Sequence, residues 1–236
     1  MNETTIIPID RLEFGLTDWR WPFQRDSRAQ ISAHFDDLRR EKPALWNGRV
    51  FLLHDYEISK AVMRGNYFES DFATLIAWRD WGFQDKSIYT CFAMAAVETA
   101  CGGFLVGVMG EHTANPGKTY FPTGTPDIDD LNGQHINLDT SVRRELAEET
   151  GLDVAEFQIE AGWHAVFSDR HIALMKRMRS SDSAEAIRAR VLNFLAQEQQ
   201  PEFSEIRFLY GKDDITSAVP VYVQAYLEHI WRNPRA

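Results

Sequence analysis

The sequence predicts an α/β protein, and three observations carry that expectation. From about residue 89, short apolar runs suited to strands are separated by glycine-rich or polar turns. Two stretches read instead as helices: one around residues 137–151, set by a capping residue and a terminal glycine, and one at 183–199, set by apolar spacing. A less regular mixture precedes residue 88, so the chain divides into an N-terminal region (1–88, with the small α/β character of a lid or dimerisation element) and a main domain (89–236). The 236 residues, 44% hydrophobic and 25% charged, suffice for one large domain with such an appendage.

In the N-terminal region, Asp26 or Ser27 can cap a helix whose Ile31, Phe35 and Leu38 follow i, i+4, i+7 until Pro43 stops it. Residues 50–54 read as a short buried strand, and 56–66 as a second helix ended by Gly65 and Asn66. From Phe68 to Phe83 the chain is rich in aromatics, with Phe72, Trp78 and Trp81 around Arg79 and Asp80. Such rings can form a lid or a shelf on which a base stacks, or they can glue this region to the main domain or to a second subunit.

In the main domain, the apolar runs 92–99 and 104–109 flank Cys101-Gly102-Gly103, a hairpin signature. A loop over 111–118, marked by Asn115-Pro116-Gly117, leads into 119–122. Asn137 or Asp139 can cap the next helix. After Gly151, residues 157–167 and 171–178 read as strands joined at Ser168-Asp169-Arg170, with Lys176, Arg177 and Arg179 at the strand end. Ile187, Val191 and Phe194/Leu195 mark an amphipathic helix over 183–199 that Pro201 breaks, then 206–210 forms a strand and 221–231 a final helix. Cys91 and Cys101 sit in apolar surroundings and read as core; His164 and His171 are lone strand histidines with no partner at ligand spacing.

The chemistry sits in Arg144-Glu145-Leu146-Ala147-Glu148-Glu149-Thr150-Gly151-Leu152. Glu145, Glu148 and Glu149 fan over about 100° of one helix face. Like charges at this spacing repel by a few tenths of a kcal/mol each, a cost that a cation removes. Oxygen-only ligands suit a hard ion, Mg²⁺ or Mn²⁺, and Arg144 can fork onto a neighbouring carboxylate. This string resembles the second half of the Nudix box, the motif of the diphosphate-cleaving Nudix hydrolases. Thr123-Gly124-Thr125-Pro126-Asp127 resembles its first half, with Gly124 in place of the opening glycine and Asp130 where the family has Glu. Residues 131–143 supply thirteen positions where the family has seven, an insertion centred on the polar turn Asn132-Gly133-Gln134-His135.

The resemblance implies a Nudix-type α/β/α sandwich with a mixed sheet, and metal-dependent cleavage of the diphosphate linkage in a nucleoside diphosphate-X compound. Carried over residue by residue, Glu145, Glu148 and Glu149 would ligate Mg²⁺ or Mn²⁺, the Gly124 carbonyl would complete the site, and Arg144 would orient Glu145 or Glu149. Many members add an acid from a loop after the box; here Glu198, Glu202 and Glu205 surround Pro201, and Glu202 lies in the loop itself. Family markers for ADP-ribose and for dinucleoside polyphosphates are absent, since no Pro lies between Pro126 and Pro201 and no Tyr between Tyr120 and Tyr210. An N-terminal extension with an irregular box also occurs in the branch acting on nucleotide sugars, which becomes the expected substrate class. Another diphosphate such as ADP-ribose, a non-catalytic nucleotide sensor that would usually have lost box carboxylates, and an isoprenoid diphosphate isomerase with a reactive Cys are the alternatives.

A net charge of −10 without an offsetting basic stripe argues against a nucleic-acid partner. No run approaches 18 apolar residues, so no membrane span is expected. The opening ten residues lack the layout of a signal peptide and two cysteines make no disulfide framework, so the cytoplasm is the expected compartment. The aromatic segment near Trp78 needs covering, which points to a homodimer.

Overall fold

In the computed structural model, which describes residues 4–233, the N-terminal region combines four strands with three helices; the first three residues of the opening segment lie outside the described residues. Strands β1 (Thr5–Ile9) and β2 (Arg11–Thr17) precede a short helix α1 (Pro22–Asp26) and α2 (Arg28–Glu41), in which Ile31 and Phe35 are the buried positions. The expected helix over 56–66 is not formed. Instead β3 (Arg49–Ser59) and β4 (Val62–Asp71) make one antiparallel hairpin. Its two-residue turn is Lys60-Ala61, with φ of 51° and 55°, a left-handed pair that Asn-Gly would normally announce. Gly65 lies mid-strand beside a register shift at Leu53/Asp55, and a Cβ there would come within 2.5 Å of the Asp55 carbonyl.

Helix α3 (Phe72–Asp80) starts at Asp71, whose carboxylate accepts from the Thr74 amide. Its Leu75 and Trp78 pack with Trp21, Val50, Leu52, Phe68 and Ile88. Trp78 is wholly buried inside the chain, while Phe72, Trp81 and Phe83 of the same aromatic segment stay partly exposed.

The main domain runs β5 (Thr90–Glu98), β6 (Phe104–Met109), β7 (Thr119–Tyr120), β8 (Leu131–Asn132), β9 (His135–Ile136), α4 (Leu138–Thr150), β10 (Gln158–Ile159), β11 (Trp163–Ser168), β12 (His171–Arg179), α5 (Ala184–Leu195), β13 (Phe203–Leu209) and α6 (Val221–Arg232). Its sheet has the order β1-β11-β12-β5-β6-β13, with β10 on β12 and β7 on β6. The β12–β5 pair is parallel and β11–β12 antiparallel, so the sheet is mixed. Residues paired across strands share a face. One face carries Lys176, whose Nζ is 3.6 Å from Asp139 on α4. The other carries His164 and Phe92, whose rings meet Tyr226 and Tyr222 of α6, each 5.7 Å between centroids. Helices thus cover both faces, the α/β/α sandwich that was expected.

Strands β5 and β6 pair at Glu98–Phe104 and then splay, and residues 120–123 fill the gap through Gly107↔Tyr120 and Met94↔Thr123. That wedge delivers Thr123 and Gly124 to α4. The second sheet has the order β3-β4-β2-β9-β8. Strands cross between the two regions in both directions: β1 joins the main sheet, while the box insertion β8–β9 joins the N-terminal one, with the Leu16 amide donating to the Gln134 carbonyl at 2.8 Å. Phe14, Met63 and Tyr67 share a core with Ala93, Val97 and Leu146. Cys91 is buried as expected, but Cys101 is exposed, because it sits at the outward turn of the β5–β6 hairpin. Among the described residues no helix is long and apolar enough to cross a membrane.

Candidate metal centre

Helix α4 begins at Asn137, whose side chain accepts from the amides of Asp139 and Thr140, and ends at Gly151 in the left-handed conformation, φ 68°. Between these stops the helix turns Glu145 and Glu149 inward and leaves Glu148 exposed. The Thr123 amide donates to Glu149 at 2.8 Å. A Cβ on Gly124 would lie 2.0 Å from Glu145 Oε1, so only glycine lets the loop backbone seat against that carboxylate.

Arg144 organises the acids. Its guanidinium lies 2.9 Å from Glu145 and 3.0 Å from Glu148, and it forks onto both oxygens of Asp130 at 3.1 and 3.3 Å. Of the two carboxylates it was expected to orient, it contacts Glu145, while Glu149 is held by the Thr123 amide. Asp130 is 1% exposed and closes a turn of 3-10 helix (Ile128–Asp130) in which the Asp127 amide donates to it. Its coupling to Arg144 is a contact that the sequence showed only as a substitution for Glu; the Asp127-x-x-Asp130 capping pattern was the available signal.

The charges do not balance locally. Burial pushes the Glu145 carboxyl up to about 8; Arg144 offsets part of this, and Glu148, Glu202 and Asp130 add to it. Glu149 is driven well above the usual carboxylate range, first by burial and then by Glu145 and Glu202, against the Thr123 amide. Glu202, though exposed, has its carboxyl raised by the protein packed around it, with His112 opposing and Glu148 reinforcing the shift. Glu202 is therefore the loop acid whose field reaches both buried glutamates. Glu205 pairs instead with Arg207 at 2.6 Å. Burial opposes the charge of Arg144, and Glu145, Asp130 and Asp127 outweigh it, so the guanidinium stays cationic.

Among the described residues no three His, Cys, Asp or Glu side chains converge closely enough to cage an ion, because Arg144 draws Glu145 and Glu148 onto itself. The donor set nonetheless fits a hard divalent cation. It is all oxygen, it holds more buried carboxyl groups than one arginine can keep ionised, and it faces a backbone cradle that a Cβ would fill. His164 and His171 stand apart from it. The His171 Nδ1 lies 2.7 Å from Thr90 Oγ1, and His164 packs against His229 at 5.5 Å. A hollow of about 800 Å³ at the ends of β5 and β12, lined by Glu98, Glu160, Arg177 and Arg179, contains none of the box carboxylates.

No protein-family model and no curated protein matches the chain. Solved structures do resemble it, and they include Nudix hydrolases. The MutT protein of Methanosarcina mazei Go1 is 21% identical, with a TM-score of 0.44 over 63% of this chain and 96% of that one. RenU, a Nudix hydrolase from M. smegmatis, is 11% identical, with a TM-score of 0.39 over 60% and 82%. A bifunctional NMN adenylyltransferase/ADP ribose pyrophosphatase from Francisella tularensis is 11% identical, with a TM-score of 0.41 over 66% of this chain and 44% of that one.

Proposed function

We propose that the chain is a Nudix-type hydrolase that cleaves the diphosphate linkage of a nucleoside diphosphate-X compound in the presence of Mg²⁺ or Mn²⁺. One observation carries this reading: the buried acids Glu145 and Glu149, on a helix with the box sequence, are set against the glycine backbone of the box's first half. Glu145, Glu148 and Glu149, with the Gly124 carbonyl, would hold the ion. When bound it supplies charge neutralisation and Lewis-acid polarisation of the diphosphate. Arg144, anchored by Asp130, keeps Glu145 in register with the loop. Glu202 takes the proton of the attacking water, a task for which a raised carboxyl is better suited than an ordinary one. The X group we favour is a sugar, supported by the irregular box and the N-terminal region. Product release from UDP-glucose, GDP-mannose, ADP-ribose, NADH, a diadenosine polyphosphate and CoA, each with Mg²⁺ or Mn²⁺ and with a chelator control, tests the reading. Metal-dependent cleavage of one of them is expected; tight binding without turnover of any would leave a nucleotide sensor in its place.

A further inference from the structure

The loop between β6 and β7, residues 110–118, joins two parts of the candidate site. At its first foot the Gly110 amide donates to the Glu202 carbonyl at 2.7 Å. The pairing of β13 with β6 starts one residue further on, at Phe203↔Met109, so this bond extends the contact to Glu202 itself. At its second foot Thr119 and Tyr120 pair with β6, and the chain runs on to Thr123, whose amide holds Glu149. The first foot turns sharply. The Thr113 amide and hydroxyl both donate to the Gly110 carbonyl, at 3.1 and 2.8 Å. A Cβ on Gly110 would lie 2.9 Å from the His112 ring and 3.3 Å from the Glu202 carbonyl oxygen.

The N-terminal region grips the middle of this loop. Lys42, the residue after α2, donates from Nζ to the Thr113 carbonyl at 2.8 Å. Arg79, in the last turn of α3, donates from Nη1 to the Asn115 side-chain oxygen at 2.9 Å. Between these two bonds Ala114 packs on a cluster drawn from both helices, with Ile31 and Phe35 from α2 and Ala73 and Ala77 from α3. Three consecutive residues are thus each held by a different contact. Both donors are cationic, and such bonds are stronger than those between neutral groups. The rest of the loop, Pro116, Gly117 and Lys118, is exposed.

The two feet differ in what else secures them. The Thr123 hydroxyl donates to the Ala93 carbonyl at 2.7 Å and the Ala95 amide to the Pro122 carbonyl at 2.9 Å, so β5 keeps the cradle of Glu149 in place without the loop. Glu202 is exposed, and it enters β13 just before that strand's register shift between Phe203 and Glu205. We infer that Lys42 and Arg79 are positioning residues for the cleavage: by pinning the loop they hold Glu202 at a fixed distance from Glu145 and Glu149. The inference rests on the hydrolase reading. A proton acceptor must stand within hydrogen-bond reach of the attacking water, and a displacement of about 1 Å costs on the order of a hundredfold in rate. The N-terminal region thereby acts on the reaction without touching the substrate.

The test compares the full-length wild type with Lys42→Met, Arg79→Gln, their double variant and Lys42→Arg. It measures kcat and KM on UDP-glucose and the other diphosphate compounds named above, Mn²⁺ uptake, and the rate of tryptic cleavage after Lys118 in the folded protein. A fall in kcat of about tenfold in each single variant and about a hundredfold in the double is expected, with KM and Mn²⁺ uptake within about threefold of wild type. Lys42→Arg, which can still donate to the Thr113 carbonyl, should keep most of the activity. Cleavage after Lys118 should quicken by about tenfold or more in the double variant, as the loop opens locally. Unchanged kcat in the double variant, a parallel loss of Mn²⁺ uptake, or a Lys42→Arg variant as slow as Lys42→Met would overturn the assignment. If the double variant unfolds, Lys42→Met against Lys42→Arg decides. Turnover that every variant retains refutes the positioning role and keeps the hydrolase. A wild type that cleaves none of the compounds refutes the hydrolase, and the positioning role with it.

Discussion

The Glu145→Gln substitution probes the electrostatics of the acid pair most sharply. Burial lifts Glu145 from 4.5 to about 8, since Arg144 offsets only part of the desolvation. In the unfolded chain the same carboxyl titrates near its ordinary value, so the folded state holds a proton that the unfolded state has already lost. The stability associated with that proton is fully present below about pH 4.5 and disappears as pH rises through about 8. At about 1.4 kcal/mol per pKa unit, the displacement corresponds to roughly 5 kcal/mol, comparable to the net stability of a small domain. The residue is 9% exposed, so solvent screening removes little of this. Urea unfolding in the presence of a chelator, from about pH 5 to 9, measures it on both proteins. Glutamine does not titrate, so the variant should gain on wild type by about 1.4 kcal/mol per pH unit between about pH 5.5 and 7.5, the gain tailing off as pH passes 8. Parallel curves across the whole range would refute the reasoning.

Other consequences follow from the same geometry. Gly124→Ala places a methyl group where Glu145 Oε1 sits at 2.0 Å; turnover should fall by about a hundredfold or more, while urea unfolding shows a loss of only about 1–3 kcal/mol. Arg144→Met leaves Asp130 buried without its bidentate partner, and should cost about 3–5 kcal/mol near pH 8. That cost should shrink in acid, where the Asp130 carboxyl, already raised by burial against the pull of Arg144, takes up a proton. Millimolar Mg²⁺ should raise the melting temperature more at about pH 8.5 than at pH 6, because protons compete for Glu145 and Glu149; a shift that is equal at both pH values would contradict this.

How much was legible depended on whether the signal was local. Helix α4 was readable from end to end, since Asn137 and Gly151 are stop signals with their own backbone chemistry. The β5–β6 hairpin and the polar turn of the insertion were equally local, with glycines at the turning points. The Lys60-Ala61 turn was not readable, because two non-glycine residues adopt the left-handed conformation inside a strand pair whose length stabilises them. The purpose of the insertion was also hidden: β9 pairs with β2, more than a hundred residues away, and no spacing rule encodes such a partner. In the site, the carboxylates were plain from their spacing. Glu202 was singled out over Glu198 and Glu205 by its place in the loop, whereas the grip of Arg144 on Asp130 needed three dimensions, because it is set by where a loop folds back.

The central claim is that Glu145, Glu148 and Glu149 gather a divalent cation. Titration of Mn²⁺ into the wild type at about pH 8, followed by the loss of the free-ion paramagnetic resonance signal, tests it most directly beside Glu149→Gln. Saturable uptake by the wild type and at least tenfold weaker uptake by the variant are expected, with Mg²⁺ competing for the same site. Uptake that is absent in the wild type, or identical in the two proteins, would contradict it.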